Sequence, residues 1–473
     1  MPKIILTSFK KIFLSVATFL LVVPIHAQTV SQFFAFPNDK TQGSRPTGSL
    51  IQATDGDLYS TAQNEGGTGG LGVAFKISTN GNFTKLTTFT TINDGSFPFC
   101  ALVQSTNDGN FYGTSFLGIA PLYRGNIYKI TSAGVVTSLV AFDGTNGFYP
   151  TGALVQGRDG NFYGTTGGGA DGCGIFAGGC TGSLTNGSIF KMTPGGTLTT
   201  LVTLAGTNGK MPVAGLVLHT NGDFYGTTFT GGANGFGTVF KVTSSGTFTS
   251  LYSFAGSDGA NPYAGLTIGT NGNLYGTTQG GGANSLGTIF QITAAGVLTT
   301  LISFDNANGS TPQAAPKQGL DGNFYGTTAA GGASGKGTVY VLTPGGTLIT
   351  LYSFLGYNFP SGIPNDGSTP QADLVQISDG NFYGTTRAGG SANNTGTIFK
   401  LDLRPKLNSA LVGNDVTISW LELFGIGYRL QSASSLTSPI SWVDVTNAPV
   451  LADGIQTVTE TVAGAAKYYR LTK

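Results

Sequence analysis

The chain has 473 residues, 76 of them glycine, with 10% charged and 11% aromatic residues and a formal net charge of +1. Glycine without a strict G-x-y period excludes collagen, and the aromatic content argues against disorder. The near-neutral charge removes the electrostatic case for nucleic acid or an anionic membrane as partner.

In chain order, the first segment reads as a processing signal. Lys3, Lys10 and Lys11 make a basic start, IFLSVATFLLVV (12–23) is an apolar run too short to span a bilayer, and Pro24 and Ala27 predict cleavage before Gln28. Removing 1–27 takes away three lysines and leaves 20 basic residues against 22 acidic ones, a net charge near −2. The expectation is an exported protein, extracellular or on the cell surface, with no membrane span once the signal is gone.

After this leader one sentence repeats. DGNFYGTT stands at 159–166, 321–328 and 379–386, with near-copies around Tyr59, Tyr112, Tyr225 and Tyr275. The unit is about 50 residues, a period of propeller blades or solenoid coils. In 261–304, AGLTIG is a strand, TNG a turn, NLYGTT a second strand, QGGGANSL a loop, GTIFQIT a third strand and VLTTLISF a fourth. Asn-Gly and Asp-Gly between apolar runs are hairpin signals, and Thr, Val, Ile, Tyr and Phe fit pleated positions. Seven such units predict an all-β, seven-bladed β-propeller of four-stranded blades over 28–404. The seventh unit leaves the pattern after GTIFKLDL (396–403), while TVSQFFAF (29–36) resembles the fourth strand TFTSLYSF (247–254). Strand 29–36 is therefore expected to close the last blade, which removes free sheet edges.

The repeated DG or NG reads as a turn rather than a ring of metal ligands, because several copies replace or shift the acid. No metal or other cofactor is expected. G-x-x-P, present in every unit from Gly43–Pro46 to Gly367–Pro370, reads as a turn between blades. Cys100 stands where other units have Ala or Gly and reads as a small buried filler. Cys173 and Cys180, in GCGIFAGGC, form a candidate disulfide that export permits; the loop geometry leaves the pairing open.

Length variation concentrates on one rim, where the second-to-third-strand loops and the blade connections lie. Loops on a rigid scaffold are the usual place for binding. The candidate ligand-binding residues there are Tyr123, Arg124, Phe176, Phe229, Phe236, Tyr357, Phe359, Asp366 and Arg387. Exposed aromatics stack on sugar rings or anchor proteins, so polysaccharide or a surface protein is the expected partner. The mature chain has one histidine, His219, in a structural-looking position before a turn, so a Ser-His-Asp triad or a histidine metal site lacks parts. Paired carboxylates of a carbohydrate-active enzyme stay open as an alternative, as does a purely structural surface or matrix component.

The pattern YGTT…GG…G-GT-[VI]-F-K-[LIV]-T…G, returning over roughly 30–403, resembles the GloVer tandem repeat of exported bacterial proteins that carry a choice of anchors. The resemblance implies an extracellular or surface location and brings no catalytic residues. The tail, 405–473, changes texture: DVTISWLE, YRLQSASSL, SWVDVTNA, IQTVTETV and AKYYRLTK alternate like the strands of a small fibronectin-like β-sandwich, with Trp420 and Trp442 as its expected core.

Overall fold

The computed structural model describes residues 29–64, 70–90, 95–118, 124–168, 186–356, 366–391, 393–412, 415–421, 428–437, 440–452, 455–461 and 467–472. Every regular element among them is a β-strand. The chain divides into two compact units, Val30–Leu401 and a second that holds Asp402–Lys473.

The first unit contains seven four-stranded antiparallel sheets, numbered 1 to 7 by the chain order of their second strands Leu58–Ala62, Phe111–Ser115, Phe162–Thr166, Phe224–Thr228, Leu274–Thr278, Phe324–Thr328 and Phe382–Thr386. Sheet 5 is representative, with strands Thr267–Ile268, Leu274–Thr278, Thr288–Ile292 and Leu298–Ser303 in sequential order. Its third and fourth strands slip register between Ile289 and Phe290, and sheets 1 to 4 and sheet 6 repeat that irregularity at the equivalent place. Such bulges increase local twist.

The first strand of each sheet is shorter than AGLTIG suggests, only two residues long, as in Thr267–Ile268. The reason lies in the preceding turn. In all seven G-x-x-P segments the residue before proline adopts a left-handed backbone, with φ of 56° at Arg45, 54° at Phe97 and 57° at Asn261. That conformation bends the chain out of the ladder. The carbonyls beyond it turn to the neighbouring sheet, where Thr165 Oγ1 donates to Ala214 O at 2.8 Å and Thr227 Oγ1 to Ala264 O at 2.9 Å.

Each letter of YGTT now has a physical task. The tyrosine ring packs on the aromatic that opens the second strand of the next sheet: Tyr59 stacks on Phe111 at 4.2 Å and Tyr163 on Phe224 at 4.1 Å, while Tyr275 meets Phe324 tilted at 4.0 Å. The glycine leaves room for the third-strand aromatic, because a Cβ on Gly276 would sit 2.5 Å from the Phe290 ring. The first threonine crosses to the next sheet, as above. The second bonds within its own sheet, as in Thr278 Oγ1 to Thr288 Oγ1 at 2.8 Å, fully buried.

These contacts run from sheet to sheet and return to the start. Tyr383 of sheet 7 shares a buried cluster with Leu58, Phe75 and Ile77 of sheet 1. The N-terminal strand Thr29–Ala35 is the outer strand of sheet 7, beside Thr397–Asp402. Phe36 N–H then donates to Gly396 O at 3.2 Å. A second belt of bonds uses the glutamine that ends the first strand. Gln104 Oε1 accepts Thr54 N–H of sheet 1 at 2.9 Å, Gln318 accepts Thr270 N–H at 2.7 Å, and Gln52 accepts Ser378 N–H of sheet 7 at 3.1 Å. Where sheets 4 and 5 lack glutamine, Arg158 donates to Thr220 O at 2.7 Å, and the His219 ring bonds Gly272 O at 2.9 Å. His219 is thus a buried structural link.

The turn acids are equally committed. Tyr163 Oη donates to Asp159 at 2.8 Å, and Lys191 Nζ lies 2.8 Å from the same carboxylate. Burial would raise the Asp159 carboxyl, but hydrogen bonds from Lys191, Asn161 and Tyr163 outweigh it and hold the group well below the usual carboxylate range. Asp55, Asp108 and Asp379 shift in the same direction. A carboxyl with a depressed folded pKa contributes stability above its unfolded pKa, near ~3.9, and loses it as pH falls through the folded value. Melting temperature is therefore expected to fall as pH drops below about 4, and less steeply in Asp159→Asn; identical pH profiles would separate this turn from acid stability.

The second unit has two sheets. One orders Asn408–Val412, Asp415–Leu421, Ile455–Thr461 and Val450–Ala452; the other orders Val443–Asp444, Arg429–Ala433 and Tyr468–Thr472. Val416, Ile418, Trp420, Leu430, Val458 and Tyr469 share one core. Trp442 corrects the sequence expectation: it lies outside that core, half-buried, with the Arg470 guanidinium 4.4 Å from its ring centroid. It precedes a short edge strand whose residues are exposed, so its ring finds a cation rather than apolar neighbours.

Candidate functional site

The segments that lead from each G-x-x-P turn into the first strand, one from every sheet, line one cavity of about 590 Å³. Small residues at one repeat position keep it open: Ser49, Ala101, Ala153, Gly215 and Gly265 line it, and sheet 7 places Asp373 there instead. Asp373 is not free. Lys317 Nζ lies 2.9 Å away, Ala315 N–H donates to it at 2.8 Å, and its own N–H donates to Ser49 Oγ at 3.0 Å. The ion pair neutralises that part of the wall.

Because each first strand starts at the rim of sheet-to-sheet connections, the residues that follow its proline mark one mouth of the cavity. Phe99, Tyr263, Gln313 and Gln371 are among them. Arg387, the residue after YGTT in sheet 7, reaches the same cavity. Burial pushes its guanidinium below the usual value and Arg45 pushes it further, against a pull from Tyr263. The Tyr263 hydroxyl is pushed up to about 12 by burial, with the Arg387 charge opposing. Both groups keep their neutral-pH charge states, so the mouth presents fixed positive charge.

Of the sequence-derived candidates, Arg387 and Phe229 converge here, since Phe229 packs edge-on against Tyr263 with centroids 6.2 Å apart. Arg124 belongs to an aromatic file that starts at the cavity wall. Phe99 meets Phe116 at 5.5 Å, Phe116 stacks on Tyr149 at 4.7 Å, Tyr149 meets Phe148 at 5.6 Å, and the Arg124 guanidinium lies 5.7 Å from the Phe148 centroid. Its Nη1 also donates to Asp143 O at 2.5 Å. Phe236 is 40% exposed, and its carbonyl accepts Asn261 N–H at 2.8 Å. Asp366 is buried and accepts Tyr352 Oη at 2.5 Å and the amides of Leu355 and Gly356 at 3.0 Å. It does for sheet 6 what Asp258 does for sheet 4, where Tyr252 Oη donates at 2.5 Å. Tyr123, Phe176, Tyr357, Phe359, Cys173 and Cys180 lie outside the described residues.

Sequence reasoning did not single out Arg45 or Tyr263. Both sit in the G-x-x-P segment or immediately after it, which reads as turn material in one copy; the return of the last sheet to the first brings Arg45 beside Arg387, and the shared cavity gathers Tyr263 with the other residues that follow a proline. Among the described residues no group of three or more His, Cys, Asp or Glu could hold a metal ion.

Solved structures of similar shape are distant in sequence. A gluconolactonase from Xanthomonas campestris is 14% identical over 64% of this chain and 86% of that one, with a TM-score of 0.40. A PL25 ulvan lyase bound to a glucuronate-rhamnose sulfate saccharide is 14% identical over 67% and 78%, with a TM-score of 0.38. A GH43 β-xylosidase/α-arabinofuranosidase from a compost metagenome is 13% identical over 57% and 98%, with a TM-score of 0.33. None of these likenesses carries an argument for activity. A search of curated protein sequences finds no match. Residues 21–177 and 173–399 match the model of the Gloeobacter/Verrucomicrobia repeat, and the chain belongs to that repeat family.

Proposed function

We propose that the seven sheets are the blades of a closed β-propeller, that the second unit is a small β-sandwich, and that the exported protein is a surface or secreted binding scaffold. Its ligand is a polysaccharide or a surface protein, taken on the rim that carries Arg387 and Phe229. The observation that carries this reading is the cavity lined by the segment before the first strand of each of the seven sheets, with Arg387 and Tyr263 at one mouth and an aromatic file leading away from it. Concave, partly aromatic sites with a few fixed polar groups are where small ligands and glycan chains bind. Two acids on this side are engaged within the fold, Asp366 with Tyr352 and Asp373 with Lys317.

The test is incubation of residues 28–473 with a panel of polysaccharides, reading bound protein and newly released reducing ends from the same wells. Binding without release is the expected result. Release would replace the scaffold reading with that of a carbohydrate-active enzyme, and absence of both would remove glycans as the ligand.

A further inference from the structure

Arg387 and Arg45 stand on adjacent sheets, 7 and 1, where a Cβ on Gly396 would lie 2.6 Å from Pro46 Cδ and 3.2 Å from Arg387 O, and the Arg45 charge acts on Arg387. Arg387 is half-buried, and among the described residues neither arginine enters an ion pair with a carboxylate. Two like charges held together, one of them partly out of water, oppose folding unless an anion joins them. Thr47, which lines the same cavity, also has a buried hydroxyl without a partner. Flat aromatic and amide side chains share this mouth: Tyr263, Phe99, Gln313 and Gln371.

We infer that this mouth recognises an anionic sugar ring, with Arg387 and Arg45 holding its negative group and Tyr263 and Phe99 packing against the ring. The inference rests on the glycan-binding reading above and specifies its ligand class. A guanidinium presents a planar fork of donors that matches a carboxylate or sulfate, and aromatic faces take the C–H surface of a sugar. Glutamines supply both donor and acceptor for sugar hydroxyls. A cavity of about 590 Å³ is of the size that holds small ligands. The anion comes from either of two sources, the carboxylate of a uronic acid or a sulfate ester, and the two are distinguished by experiment.

Residues 28–473 are titrated calorimetrically with a galacturonate trimer, its fully methyl-esterified counterpart, and a galactose trimer bearing 6-sulfates, each at low and high salt. The expected result is binding of one or both charged trimers, at least about tenfold weaker binding of the ester, and loss of affinity with salt. Whichever charged trimer binds more tightly names the anionic group. Arg387→Gln and Arg45→Gln each weaken the charged trimer by about tenfold and leave the ester unchanged. Among the described residues the Arg387 side chain makes no hydrogen bond, so the variant is expected to keep the melting curve of the parent, and that curve checks that it is folded. Equal affinity for charged trimer and ester, or undiminished binding by both variants, would overturn the inference while leaving a neutral-glycan scaffold standing. Failure of every glycan in the earlier panel would remove both.

Discussion

Phe36→Ala is expected to destabilise the first unit by about 3–5 kcal/mol, measured as a shift in urea midpoint at constant slope. Phe36 is fully buried and sits at the junction of sheet 7 and sheet 1. Its ring meets Phe34 at 5.2 Å, Phe75 at 5.5 Å and Phe83 at 5.8 Å, so residues from both sides of the junction lose a partner together. Deletion of 29–36 removes the outer strand of sheet 7 as well and exposes the edge of Thr397–Asp402. That edge would be open to pairing with other chains, so aggregation should accompany the lower melting temperature. A loss below about 1 kcal/mol in Phe36→Ala would mean that this junction is not part of the cooperative core.

The second large effect is expected at Gly237, the glycine that opens the third strand of sheet 4. Its φ is +97°, and a Cβ there would lie 2.3 Å from Thr228 O and 2.7 Å from Pro262 Cδ of sheet 5. The same glycine–proline contact recurs between successive sheets, ending with Gly396 against Pro46. Gly237→Ala combines a left-handed backbone, costing about 1–2 kcal/mol, with a steric clash costing about 1–3 kcal/mol. Gly222→Ala is the internal control: its φ is +92°, yet nothing lies within 4 Å of the added Cβ. It should cost only the backbone part. If the two variants melt alike, the proline contact carries no weight and the sheets are spaced by something else.

Much of this architecture is legible in the chain because each repeat is locally consistent. Asn-Gly and Asp-Gly turns, β-branched strand residues and the TVSQFFAF segment all point to four-stranded sheets and an N-terminal strand that joins the last one. The shortness of the first strands was not legible, because it follows from a left-handed residue before each proline, a position where sequence preference favours extended backbone. The glutamines that bond sheet to sheet were equally hidden: Gln52 and Ser378 are far apart in sequence and become neighbours only when the array returns on itself. The candidate site divides along the same line. Arg387 and Phe229 were legible as residues of the variable rim, whereas Arg45 gains meaning only beside Arg387 and Tyr263 only from the shared cavity. Asp366 was readable as structural had NDG at 365–367 been matched to SDG at 257–259, whose Asp258 accepts the equivalent tyrosine hydroxyl. Trp442 misled because tryptophan in a short strand suggests burial, while its neighbours Val443 and Asp444 are exposed.

The central claim is that the seven sheets form one ring held shut by the N-terminal strand, and native-state hydrogen exchange tests it most directly. Peptides covering 29–36 and 397–402 should be protected as strongly as the buried third strands, such as Thr288–Ile292, and should lose protection with them in one step as urea rises. Rapid exchange of 29–36 while Thr288–Ile292 stays protected would mean an open array with a detachable N-terminal strand.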